Sequence, residues 1–128
     1  MAVTDFEKLV DRYIAVWNET DAESRSAQIR SLWTEDGEHV FPQAALRGYE
    51  AIEAVVTEVY EQFVTKGFKF RVGANGKPDV NNNSVRFTWE MVPAAGGDEV
   101  SMGGVDFIIV DEDGRIRYDY QFFDILPA

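Results

Sequence analysis

The chain contains one histidine, His39, in the run Gly37-Glu38-His39-Val40-Phe41-Pro42. His39 alternates with Phe41, so the two side chains share a face of any strand formed there. An imidazole titrates at about pH 6.5, which suits it to acid–base work near neutrality. The same ring equally suits a core position, where it donates to a carbonyl or a carboxylate and fills space. The second candidate is Asp106, in Gly103-Gly104-Val105-Asp106-Phe107-Ile108-Ile109-Val110. A lone carboxylate among such neighbours is costly to bury unless it is paired or protonated. Tyr13, His39 or a ligand is available as its partner. The alternative is a bulge after Gly103-Gly104 that lets the carboxylate reach solvent.

Other chemistries are excluded by residue type. With no cysteine, there is no disulfide scaffold, zinc–cysteine site or cysteine nucleophile. One histidine and scattered carboxylates lack tetrahedral ligand spacing, so no metal is expected. The pairs Gly96-Gly97 and Gly103-Gly104 lack the strand–loop–helix setting that cradles phosphate. No serine sits in a nucleophile elbow, and no cofactor is expected. With 23 acidic and 12 basic residues the net charge is -11. That surface repels phosphate backbones and anionic lipid, so neither nucleic acid nor membrane is expected as a partner. No apolar run approaches the roughly 20 residues of a membrane span, and the opening MAVTDFEK is not a signal peptide. The expected location is the cytoplasm.

The elements that must position these groups follow from periodicity. Thr4-Asp5-Phe6-Glu7 reads as a capping box. Phe6, Leu9, Val10, Tyr13 and Trp17 then recur at helical spacing, up to about Asn18. Tyr13, on that stripe, reads by itself as a core residue with its hydroxyl at a rim. Asp21 caps a second helix with Ile29, Leu32 and Trp33 on one side. Thr34 to Gly37 reads as a turn and Glu38 to Phe41 as a short strand stopped by Pro42. Gly48 opens a third helix, with Tyr49, Ile52, Val56, Val59 and Phe63 in register, which ends at Gly67. Beyond it the period becomes two. Strands are expected at 68–74, 84–92, 99–110 and 115–125, with turns at 75–78 and 111–114 and a loop at 94–98. Phe87, Trp89 and Met91 share one strand face. Helices followed by hairpin-linked strands imply an α+β fold. At 128 residues, one domain spanning 1–128 is expected. The sheet must curve around the helices, which leaves a cone whose mouth suits a small-molecule pocket.

This order of elements resembles the NTF2-like superfamily, in its SnoaL-like and ketosteroid isomerase-like branch. The likeness lies in LVDRYIAVWNETD, in IRSLWTEDGEHVFPQAALRGYEAI and in VDFIIVDEDGRIRYDYQFF. The resemblance implies an α+β cone: a strongly curved mixed or antiparallel sheet wrapped around three N-terminal helices, with a central pocket. Ketosteroid isomerases use a helix-one tyrosine and a protonated late-strand aspartic acid as an oxyanion hole, with an aspartate before the proline as base. Tyr13 matches the tyrosine and Asp106 the acid, but Phe41 stands where the base would be. Limonene epoxide hydrolases are a poorer match, because their acid and their Arg–Asp pair fall near Gln121, Trp89 and Met91.

If Phe41 faces the pocket, His39 does too, on the same wall, with Asp106 opposite as its expected partner. The resemblance also turns Asp119, Gln121 and Phe123 inward and Tyr118, Tyr120 and Phe122 outward. Asp119 is a second-choice base, with a rim charge the preferred reading. Trp17, Trp33, Phe41, Phe87, Trp89 and Met91 read as pocket walls, unless they meet and leave no cavity. The expected ligand is a small apolar cyclic molecule. The expected chemistry is metal-free proton transfer next to a carbonyl, of isomerase, cyclase or dehydratase type, with His39, Tyr13 and Asp106 as the working groups. The alternative is a non-catalytic ligand-binding or dimerising module. The outward aromatic row suggests a homodimer through the outer sheet face.

Overall fold

The computed structural model describes residues 4–74 and 77–126. Helix α1 (Phe6–Asn18) buries Phe6, Leu9, Val10, Tyr13, Val16 and Trp17 along one stripe. It starts one residue later than a Thr4 capping box requires. The N-cap is Asp5, whose carboxylate accepts from Lys8 N–H at 3.1 Å. A carboxylate caps as well as a hydroxyl does and also answers the helix dipole. Asp21 likewise caps α2 (Ala22–Leu32), accepting from Ser24 N–H at 2.9 Å. Helix α3 (Tyr49–Gln62) starts at Gly48 and continues as a single 3-10 turn, Val64–Lys66. Gly67 closes it in the left-handed region at φ 95°, where glycine carries no Cβ penalty.

The strands are β1 (Trp33–Phe41), β2 (Ala44–Arg47), β3 (Phe68–Val72), β4 (Asp79–Asn81), β5 (Ser84–Pro93), β6 (Met102–Val110) and β7 (Ile116–Ile125). Thr34 to Gly37, expected as a turn, lie inside β1, and Trp33 opens that strand rather than closing α2. The reason is visible in the register. Trp33 pairs with Ile116 and Glu38 with Tyr118, so the turn-forming residues are absorbed as a bulge against β7. Gly37 sits at the tightest point, where a Cβ would meet the Ile116 carbonyl oxygen at 2.9 Å. Strands β2 and β4 were not foreseen, since three or four residues carry too little periodicity. Strand β6 starts at Met102 rather than Glu99, β3 stops at Val72 rather than Ala74, and β7 starts at Ile116. Of the turn expected at 75–78, Asn75 and Gly76 lie outside the described residues.

The strands form one curved, open sheet of order β2-β1-β7-β6-β5-β3, with β4 beside β5. Every pairing is antiparallel except β1 with β7, so the sheet is mixed. Further bulges in the β6–β7 ladder, at Gly103/Gly104 and Ile109/Val110, bend it. The helices pack on the concave side, where their stripes meet the inward residues of β5, β6 and β7 in one core. The α+β cone expected from the sequence is therefore what the chain forms. No described helix is long and apolar enough to cross a membrane.

Candidate functional site

Between the helices and the concave sheet lies a cavity of about 360 Å³, toward the lower end of the roughly 300–1,000 Å³ of small-molecule pockets. Helix α1 brings Tyr13, Ile14 and Trp17 to it. Helix α3 brings Val55, Glu58, Val59 and Gln62, the i, i+3, i+4, i+7 positions of one face, followed by Phe63. The sheet supplies His39 and Phe41 from β1, Phe70 from β3, Trp89 from β5, Met102 from β6, and Gln121 and Phe123 from β7. Gln43, in the β1–β2 turn, completes the lining. Asn18, at the end of α1, pins the helix to the edge strand. Its amide donates to Phe70 O and accepts from Phe70 N–H, both at 2.8 Å.

The floor is polar. His39 Nδ1 lies 2.8 Å from Asp119 Oδ2, across the one parallel pairing, where His39 and Asp119 are register partners. Tyr13 Oη donates to Asp106 Oδ2 at 2.8 Å. Asp106 pairs with Gln121 and Ile108 with Asp119 across β6–β7, so the two acids are diagonal neighbours on one sheet face. Asp106 and Asp119 are 0% exposed and His39 1%. The His39 ring lies between Trp17 and Phe41, each with its centroid 5.4 Å away.

Burial sets the protonation of these groups. It pushes His39 down to about 4 against the pull of the Asp106 charge. It raises Asp119 to about 6. Asp106 is held well above the usual carboxylate range by burial and then by the charge of Asp119. Tyr13 is raised by burial and by both carboxylates. At neutral pH the imidazole is therefore neutral, and of the two acids Asp119 gives up its proton more readily than Asp106. A carboxylate only accepts, so His39 Nδ1–H donates to Asp119, which leaves Nε2 as the acceptor nitrogen of a ring that the Gln121 side chain also reaches.

Several expectations need correction. Asp119 is not a rim charge; it lies wholly buried at the centre of the polar floor. The histidine's hydrogen-bonded partner is Asp119 rather than Asp106, because β1 lies beside β7 and not beside β6. The bulge at Gly103/Gly104 exists, but it does not carry Asp106 to solvent. Trp33, Phe87 and Met91, expected as pocket walls, are buried in the core and do not line the cavity; neither do Asp106 and Asp119. Tyr13, Trp17, His39, Phe41, Trp89, Gln121 and Phe123 do line it. The α3 wall, with Val55, Glu58 and Gln62, was not among the expected lining residues. Its signal was present, since Glu58 and Gln62 interrupt an otherwise apolar face.

Among the described residues no cluster of three or more metal-ligating side chains occurs. The cavity lining contains no lysine or arginine and one formally charged side chain, Glu58, which is exposed. The arrangement can therefore hold an uncharged molecule against aromatic walls and exchange a proton with it at His39 Nε2. It offers a carboxylate or phosphate no counter-charge.

The family profile described as SnoaL-like domain matches residues 10–118. No curated protein matches the chain. Among solved structures, a proposed isomerase of the SnoaL-like family from Agrobacterium tumefaciens str. C58 is 30% identical, with a TM-score of 0.80 over 91% of this chain and 95% of that one. An NTF2-like protein of unknown function from Exiguobacterium sp. 255-15 is 22% identical, with a TM-score of 0.66 over 91% of this chain and 98% of that one. A proposed SnoaL-like polyketide cyclase from Jannaschia sp. CCS1 is 16% identical, with a TM-score of 0.68 over 97% and 91%. The last two likenesses bear on the fold alone.

Proposed function

The chain belongs to the SnoaL-like domain family, and from that premise we propose that it binds a small, flat, uncharged organic molecule in the cone and moves a proton next to a carbonyl group on it. The reaction would be an isomerisation, cyclisation or dehydration. His39 Nε2 accepts the proton and returns it. Tyr13, whose side chain also lines the cavity, donates to the oxygen on which negative charge develops. Asp119 fixes the histidine tautomer, and Asp106 holds the tyrosine. The observation that carries this reading is the His39–Asp119 pair at 2.8 Å, with the imidazole forming part of the cavity wall. The isomerase and cyclase descriptions of the Agrobacterium and Jannaschia proteins are compatible with it.

The test uses the single histidine. Its imidazole C–H signals, followed by NMR across pH with a panel of phenols and cyclic enones, are expected to move on ligand addition. Turnover of any enone that binds is expected to be lost in His39→Gln. Binding that leaves the imidazole signals unmoved, or turnover that survives His39→Gln, would remove the histidine from the mechanism. A second reading, a non-catalytic binding protein, is favoured by Phe41 at the position where the isomerases carry their base. Recovery of a bound enone unchanged after long incubation supports that reading.

A further inference from the structure

The polar floor has a feature that proton transfer at His39 does not require. Each buried acid uses Oδ2 for one cavity residue, Asp106 for Tyr13 and Asp119 for His39. Oδ1 of each is buried and has no other partner. The two carboxyl groups are diagonal neighbours on one sheet face and within hydrogen-bonding reach of each other. Two carboxylates without a counter-ion cannot both ionise side by side in an apolar enclosure. A proton between the two Oδ1 atoms satisfies both and leaves one negative charge on the pair.

We propose that Asp106 and Asp119 share one proton, and that its position couples the charge on His39 to the freedom of the Tyr13 hydroxyl. When His39 Nε2 gains a proton from a ligand, the ring becomes an imidazolium. The shared proton then rests on Asp106 Oδ1, and the full carboxylate charge stands on Asp119 beside the imidazolium. A neutral Asp106 is a weaker acceptor, so Tyr13 Oη is released to donate to the ligand oxygen as charge builds there. When His39 returns its proton, the Asp106 O–H bond lengthens toward Asp119 and the charge spreads over both acids. One proton moves between two oxygens, and no net charge is gained or lost. Asp106 and Asp119 are thus positioning residues that act through Tyr13 and His39. The use of the dyad rests on the proton-transfer reading above, but the sharing itself does not.

The groups facing the dyad are Tyr13 from α1 and His39 from β1; Phe87 on β5, opposite Asp106, does not titrate. On the α3 side the one charged residue at the cavity is the exposed Glu58. Burial raises both acids; the charge of Asp119 raises Asp106 further, while the hydrogen bond from Asp106 draws Asp119 back down, as expected when one acid carries the proton and offers it to the other.

Carbon-13 NMR of the protein labelled at aspartate carboxyl carbons, without ligand, tests the sharing. In the unaltered chain the two buried carboxyl signals are expected to move together through two common steps, the mark of a coupled pair. In Asp119→Asn the Asp106 signal is expected to titrate in a single step at lower pH, because the neighbouring charge is gone. Independent single steps in the unaltered chain, or an Asp106 titration unchanged by Asp119→Asn, would overturn the proposal. The first measurement needs no variant and stands even if the substitution prevents folding. A coupled pair whose histidine ignores every phenol and enone would sink the proton-transfer reading and leave the dyad intact. Uncoupled acids with a responsive histidine would do the reverse.

Discussion

Successive residues of β7 meet opposite environments, and their polarity runs against them. Asp119 on the inner face is 0% exposed, whereas Tyr120 and Phe122 on the outer face are 36% and 55% exposed. The same inversion continues on β6, where Asp106 is buried while Val105 and Phe107 beside it are only partly so. The helices lie on the concave side, so whatever points that way is enclosed regardless of its hydropathy. An acid enclosed in this way is stable only when its charge is answered, and the floor answers it with Tyr13, His39 and a proton. The outer face has no such requirement, and its apolar side chains forgo only the gain from burial.

The largest effect that separates the two faces is a cavity on the inner one. Ile108→Ala, at a fully buried position, is expected to cost about 2–5 kcal/mol in urea unfolding. A cost below about 1 kcal/mol would mean that the inner face is loosely packed.

The next effect exposes the acids. His39 titrates at about 4 in the folded chain against an ordinary 6.5. The unfolded chain binds that proton more readily, so this term adds stability as pH rises from about 4 to 6.5. Asp119 moves the other way, from 3.8 to about 6. The folded chain binds that proton more readily, so stability falls as pH rises through this window. The raised Asp106 adds to the fall. One displaced pKa unit is worth about 1.4 kcal/mol, so the His39 and Asp119 terms largely cancel and the Asp106 term leaves a net fall. In His39→Gln the fall is expected to stand uncovered between about pH 4 and 6. In the Asp106→Asn/Asp119→Asn double variant the rise should appear instead. Thermal melts across pH read both, and profiles of the same sign would break the account of the inner face.

A smaller effect is expected at the hydroxyl. Tyr13→Phe keeps the ring but leaves Asp106 Oδ2 without its donor, at a cost of about 1–2 kcal/mol. Differential scanning calorimetry checks it; an unchanged melting temperature would show the hydroxyl to be idle in the free protein. The smallest belongs to the outer face. Phe122→Ala is expected to change stability by less than about 0.5 kcal/mol. A larger cost that grows with protein concentration would show that a second copy of the chain covers this face, as its aromatic row suggested.

Much of the fold was legible in the sequence. Helices α1, α2 and α3, the inward face Phe87-Trp89-Met91 of β5 and the turn before β7 follow from spacing, caps and glycines. The bulged start of β1 was not legible, because Thr34-Glu35-Asp36-Gly37 has the residue types of a turn and only pairing with Ile116 and Tyr118 holds it in a strand. The same holds for the site. His39 and Asp106 stood out by type and setting, and Tyr13 through the family resemblance alone. Asp119 was mistaken for a rim charge, since an acid between two tyrosines reads as exposed. Phe87 and Met91 have the right parity, but parity does not say how deep a side chain lies below a cavity floor.

The sequence by itself determined the α+β class, the helix stripes and the alternation along each strand, because these depend on residues near one another in the chain. Only the tertiary structure decided that β1 runs parallel beside β7, and hence that His39 meets Asp119 rather than Asp106. That pairing joins residues 80 positions apart, and no local preference encodes it. It is fixed by how the helices cover one face of a bulged sheet, which encloses the two acids and makes their shared proton part of the fold.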